Sequence, residues 1–75
     1  MPGWQTVDGE RLRQLRIERM LSQSELAKIA GTTQATISGF ERGERMAQPR
    51  TVRKLAEALD VEPSTLVMPR QAEAR

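Results

Sequence analysis

Amides and hydroxyls are concentrated in one stretch of this sequence. Gln23, Thr32, Thr33, Gln34, Thr36 and Ser38 all fall between Leu21 and Gly43. An amide side chain offers a donor and an acceptor side by side, which matches the edge of adenine in a DNA major groove. Hydroxyls can serve bases or phosphates. Other chemistry fits the chain poorly. Ser22, Ser24, Ser38 and Thr33 are the candidate nucleophiles, but the chain has no histidine to activate them and no Gly-rich phosphate loop. Carboxylates such as Glu41 and Glu44 read more simply as ion-pair or surface groups than as an acid–base couple. With neither Cys nor His present, no transition-metal site is expected. No cofactor is implied, and the chain is not expected to be an enzyme.

The elements that must position these side chains are two short helices with a tight turn between them. Ser22 and Glu25, three apart, form a capping-box pattern at the start of the first helix. Gly31 can end it in the left-handed conformation without steric cost. Thr33 caps the second helix and Gly43 stops it. Leu26, Ala27 and Ala30 give the first helix an apolar face, and Ile37 and Phe40 turn the second inward. The outer face of the second helix carries Gln34, Ala35, Ser38, Gly39 and Arg42. A short helix of this kind suits base edges in a major groove. An ordinary helical hairpin in a small bundle has the same periodicity, so periodicity alone does not decide between them.

The 75 residues suffice for one small domain with a marginal core. Net charge is only +2, but its distribution is uneven. Just after the second helix, Arg42, Arg45, Arg50, Arg53 and Lys54 outnumber the single acid Glu44. A backbone-binding loop would use that cluster, although a solvated surface loop would also carry it. No apolar run approaches the roughly 18 residues of a membrane span, and no signal-peptide core follows Met1, so a cytoplasmic protein without a membrane partner is expected.

Residues 1–5 read as an irregular lead-in, with Trp4 packed on the outside of the bundle. A first helix is expected from a cap at Thr6 or Asp8 to about Arg19, with Val7, Leu12 and Leu15 as its apolar edge and Ile17 off that edge. Met20 stands where glycine would normally end a helix, which predicts a loose or uncapped join. Pro49 suits the first position of a further helix, along which Val52, Leu55, Ala56 and Leu59 give the strongest amphipathic signal. Pro63 opens a last short helix through Leu66. No strand pattern is visible. The expected fold is all-α, a compact bundle of about five short helices over residues 6–68. Residues 69–75 are expected to form a frayed or disordered tail.

From Leu21 to Gly43 the sequence resembles the helix-turn-helix of the phage repressor and Cro family, also called the XRE family. The matching residues are Leu21-Ser22-Gln23, Glu25-Leu26-Ala27, Gly31-Thr32-Thr33-Gln34, Thr36-Ile37-Ser38 and Glu41-Arg42-Gly43. The likeness reaches upstream to Leu12, Leu15 and Arg16, and downstream through Leu55 to Val61. It implies a lambda-repressor-like bundle whose third helix enters the major groove. It further implies that Gln34 reads a base, that Gln23 contacts a phosphate and steadies Gln34, and that Thr32, Thr33, Ala35, Thr36, Ser38 and Gly39 lie on or beside the contact face. Arg42, Arg45 and Arg50 would meet phosphates or the minor groove. The resemblance also implies a shielded structural ion pair between Arg16 and Glu41. Ala35 and Gly39 are small where several relatives carry longer polar side chains, so direct readout is expected to rest chiefly on Gln34.

The implied function is that of a sequence-specific DNA-binding transcriptional regulator of repressor type. One short helix reads too few base pairs to find a site alone, so a homodimer on an inverted repeat of double-stranded DNA is expected, with half-sites about 34 Å apart. The dimer surface is assigned to the C-terminal part, at Val61, Leu66, Val67 and Met68. The alternative is a protein-interaction module, or an antitoxin-type partner-binding regulator, built on the same fold.

Overall fold

The computed structural model describes residues 3–68. Along the chain it has strand β1 (Gln5–Thr6), helices α1 (Gly9–Glu18), α2 (Gln23–Ala30) and α3 (Gln34–Glu41), strand β2 (Met46–Ala47), helix α4 (Pro49–Leu59) and a 3-10 turn over Pro63–Leu66. The tail expected at residues 69–75 lies outside the described residues.

Each helix begins where its first free amides find an acceptor, or where proline removes one. Asp8 caps α1 by accepting from Arg11 N at 3.1 Å. Ser22 and Thr33 cap α2 and α3, and Pro49 opens α4 without a side-chain cap. All four helices end in the same way, with a left-handed residue followed by a backward hydrogen bond across the last turn. The left-handed positions are Met20, Gly31, Gly43 and Asp60. The closing bonds are Leu21 N to Arg16 O (3.1 Å), Thr32 N to Ala27 O (2.8 Å), Glu44 N to Gly39 O (2.9 Å) and Val61 N to Ala56 O (3.0 Å). Met20 therefore does not end α1 loosely. It adopts φ 57° and closes the turn fully, although left-handed backbone is unfavourable for a side chain.

The core is one apolar cluster formed by α1 (Leu12), α2 (Leu26, Ala27, Ala30), α3 (Ile37, Phe40), α4 (Val52, Leu55, Ala56, Leu59), Val7, Ala47 and Leu66. Burial of such side chains is the main stabilising contribution in a chain without disulfides. The spacing of Val52, Leu55, Ala56 and Leu59 turns one face of α4 wholly inward, as expected.

Three expectations need correction. Short strands are present: Gln5 pairs with Ala47 and Thr6 with Met46, antiparallel, so the lead-in is not irregular at Gln5. A two-residue strand is too short to show alternation in sequence. Val7 is buried not on the edge of α1 but beside this ladder, opposite Val67 in a further antiparallel bridge. Leu66, assigned to a dimer surface, is fully buried in the core of the single chain, where it packs beneath α4.

A close approach also appears that the sequence reading did not single out. A Cβ placed on Gly9 would stand 2.5 Å from the carbonyl oxygens of Phe40 and Glu41. The first turn of α1 thus abuts the last turn of α3 backbone to backbone. The partial positive charge of one helix end meets the negative end of the other.

Candidate nucleic-acid interface

Local sequence sets the relation between α2 and α3. Glu25 N donates to Ser22 Oγ (3.0 Å), and Ser22 N donates to Glu25 Oε1 (2.7 Å), completing the capping box. Gly31, at φ 73°, turns the chain, and Thr33 Oγ1 then accepts from Thr36 N at 3.2 Å to start α3. The Thr33 and Thr36 hydroxyls are also hydrogen-bonded to each other at 3.0 Å. With Ile37 and Phe40 held in the core, Gln34 and Ala35 stand exposed on α3, and Thr36 and Ser38 are half-buried. Thr33 is exposed before them, and Thr32 half-buried.

Beneath this surface, Arg16 on α1 and Glu41 on α3 form a bidentate pair. Arg16 Nε donates to Glu41 Oε2 (2.6 Å) and Nη2 to Oε1 (3.1 Å). The side chains are only 12 % and 4 % exposed. Arg16 Nη1 also donates to the Leu21 carbonyl at 2.9 Å, which ties the pair to the α1–α2 turn. Hydrogen bonding to Glu41 raises the affinity of the Arg16 guanidinium for its proton above the ordinary value, against the opposing effect of burial. The pair ties α1 to α3 and to the turn before α2, and no buried side-chain donor or acceptor lacks a partner among the described residues.

The pair continues outward to the surface. Gln23 Nε2 donates to Glu41 Oε1 at 3.0 Å. Gln34 Nε2 in turn donates to Gln23 Oε1 at 3.4 Å, a long bond, and Ser24 Oγ donates to Gln34 Oε1 at 3.2 Å. Both ends of the Gln34 amide are therefore held, on an exposed residue in the first turn of α3. Ser24 is absent from the candidate contacts read from sequence. Its place beside Gln23 in the first turn of α2 is the signal that could have found it.

The cationic residues differ in their surroundings. Arg42 is exposed, with Nη1 donating to Ser38 Oγ and Nη2 to Glu44 Oε1 at 3.1 Å. The hydrogen bond from Arg42 holds the Glu44 carboxyl below its ordinary pKa. Arg50 is exposed in the first turn of α4. Arg45 is exposed in the loop before β2, and its stem crosses α3 at Gly39. Gly39 is consequently buried, which corrects the expectation that it offers a bare, small contact surface. Among the described residues no helix is long and apolar enough to cross a membrane, and no cluster of potential metal ligands occurs.

This arrangement matches known proteins. The transcriptional repressor RghR of Bacillus subtilis is 48 % identical over 54 residues, which span 71 % of this chain but 40 % of RghR. The chain thus spans about two fifths of that relative's length. The crystal structure of the restriction-modification controller protein C.AhdI from Aeromonas hydrophila is 44 % identical, with a TM-score of 0.73 over 76 % of this chain and 86 % of that one. The master regulator for biofilm formation SinR, from Bacillus subtilis, has a solved structure in complex with DNA. It is 34 % identical, with a TM-score of 0.73 over 76 % of this chain and 92 % of the other. The helix-turn-helix family model matches residues 12–66, from the buried Leu12 of α1 to the buried Leu66. That span takes in the Arg16–Glu41 pair, the turn at Gly31 and the whole of α3, and the chain belongs to this helix-turn-helix family, of the phage repressor and Cro type.

Proposed function

We propose that this chain is a sequence-specific DNA-binding transcriptional regulator whose α3 enters the major groove. One observation carries the reading: Gln34 is exposed at the start of α3 while Gln23 and Ser24 fix both ends of its amide, through a chain of bonds rooted in the Arg16–Glu41 pair. A pre-oriented amide can pair with adenine through two hydrogen bonds at little conformational cost. Thr33, Ala35, Thr36 and Ser38 line the same surface, and Thr32 lies at its edge. The exposed Arg42 and Arg50 supply charge for phosphates. The complex of the similar SinR with DNA supports the same reading.

The chain acts as a homodimer on an inverted repeat, because α3 alone reads too few base pairs for site selection. Of the C-terminal residues assigned to the dimer, Leu66 is withdrawn. The half-buried Val61 and Val67 and the exposed Met68 remain available. The function is tested by selecting bound duplexes from a random pool and measuring anisotropy against salt. An enriched inverted repeat whose binding weakens steeply with salt is expected. No enrichment, with binding indifferent to salt, would reject DNA in favour of a protein partner.

A further inference from the structure

We propose that Arg45, reaching across Gly39, is a second base-reading residue rather than a phosphate contact. The inference rests on the DNA-binding reading above and adds to it a specificity determinant outside α3 itself. Gly39 follows Ala35 by one helical turn and so lies in the same outward row. It is nevertheless buried, and the atoms over it belong to Arg45. A Cβ on Gly39 would be 3.7 Å from Arg45 Cβ and 2.7 Å from Cγ, and would collide with Cδ. The Arg45 stem therefore passes across α3 at Gly39, with its nearest approach at Cγ and Cδ, and the guanidinium follows from a stem laid on the outward row of the helix. Only a residue without Cβ permits this path.

The two loop arginines are thereby given different tasks. Arg42 is held by Ser38 and Glu44. Among the described residues Arg45 has no acidic partner, and its guanidinium is left with a free donor fork on a stem that is already placed. The fork fits the two acceptors of guanine, O6 and N7, as it fits a phosphate. What favours the base is the course of the stem across the outward row of α3, the face that meets base edges in the reading above. Gly39 lies about 7.5 Å along α3 from Gln34, more than the spacing of about 3.4 Å between base pairs. The guanine read by Arg45 therefore belongs to a different base pair from the one read by Gln34.

The test is selection from a random duplex pool with the wild-type protein, then with Arg45→Ala and Gly39→Ala. Anisotropy is then measured on the wild-type-enriched duplex and its single-base variants. In the wild type, one guanine per half-site should be preferred by about five- to one-hundredfold. Arg45→Ala should lose that preference while keeping the one due to Gln34. Gly39→Ala should lose the same preference, because its methyl displaces the arginine stem, and the double variant should lose nothing more. A circular dichroism melt at or above that of the wild type shows that Gly39→Ala remains folded, since alanine is the better helix former. If Arg45→Ala weakens the enriched duplex and every single-base variant by one common factor, the contact is to phosphate and the proposal is overturned. Retention of the full wild-type preference by Gly39→Ala would overturn it equally. A wild-type protein that enriches no sequence would instead defeat the DNA-binding reading, and this proposal with it, before any variant is compared.

Discussion

Gln23 donates to the same carboxylate oxygen of Glu41 that Arg16 Nη2 holds, at 3.0 Å beside 3.1 Å. One oxygen thus joins a shielded ion pair to a side chain at the molecular surface. Stability and readout share this atom, but they should respond differently to substitution on its two sides.

On the inner side, Glu41→Leu should destabilise the chain by about 3 kcal/mol, because it leaves the Arg16 guanidinium shielded and unpaired. The low end of the range for buried pairs applies, since the Arg16 side chain keeps 12 % of its surface. The double replacement Arg16→Met with Glu41→Leu should recover most of that loss, as apolar pairs often substitute well for buried ions. Urea denaturation measures both. A single-variant loss below about 0.5 kcal/mol, within the usual effect of surface substitutions, would mean that the pair is not structural.

On the outer side, Gln34→Ala should lower discrimination at one base pair by about 1–3 kcal/mol. Gln23→Ala should cost less at that same base pair, because Gln34 keeps its bond from Ser24 while losing the one at 3.4 Å to Gln23. Both variants should melt near the wild type. Anisotropy on single-base duplex variants is the measurement. A uniform weakening over all bases by Gln34→Ala would make Gln34 a phosphate contact instead.

What could be read in advance follows from how locally each feature is encoded. The capping box at Ser22 and Glu25, the turn at Gly31 and the cap at Thr33 involve groups a few residues apart, and all appear as expected. The inward stripe of α4 is likewise visible because helical spacing alone defines it. The Arg16–Glu41 pair came through the family resemblance, since nothing local links residues so far apart in sequence. The pairing of Gln5–Thr6 with Met46–Ala47, the burial of Leu66 and the path of Arg45 over Gly39 depend on segments brought together only by folding. No periodicity announces those contacts. Gly9 belongs with them, because what calls for glycine there is the neighbouring helix end and not its own φ.

Gly9→Ala therefore makes a test of tertiary packing against local propensity. Alanine would favour α1 by up to about 1 kcal/mol. Its methyl, however, would meet two backbone carbonyls that cannot rotate away as a side chain could. Overpacking of this kind costs about 1–3 kcal/mol. The net expectation is a lower melting temperature, and a rise would show that α1 can slide off α3 at little cost.

Glu44→Gln should strengthen DNA binding and steepen its salt dependence by about one ion, since Arg42 is released from Glu44 to meet a phosphate. Acid should act in the same direction. The carboxyl of Glu44 is held below its ordinary value by the Arg42 hydrogen bond, so the pair is intact above the ordinary carboxylate range. It is lost only as pH falls through that depressed value. At neutral pH only the substitution releases Arg42. Anisotropy titrations at several salt concentrations decide the point, and an unchanged slope would leave Arg42 outside the DNA contact.

Met20→Gly should stabilise the chain by about 0.5–1 kcal/mol. Met20 is left-handed at φ 57° and 90 % exposed, so the conformation is strained while the side chain has little packing to lose. A left-handed backbone costs an ordinary residue about 1–2 kcal/mol, and glycine relieves it. Against this, glycine gives the unfolded chain more freedom, at about 0.4–1 kcal/mol. The turn itself should not change, because its hydrogen bonds from Met20 N to Ile17 O and from Leu21 N to Arg16 O are backbone to backbone. In a domain of this size the gain corresponds to a rise of roughly 2–8 °C in melting temperature. Met20→Ala is the control: it shortens the side chain but keeps the left-handed penalty, and should melt with the wild type. A rise in the alanine variant equal to that in the glycine variant would assign the effect to the exposed methionine side chain and not to the backbone.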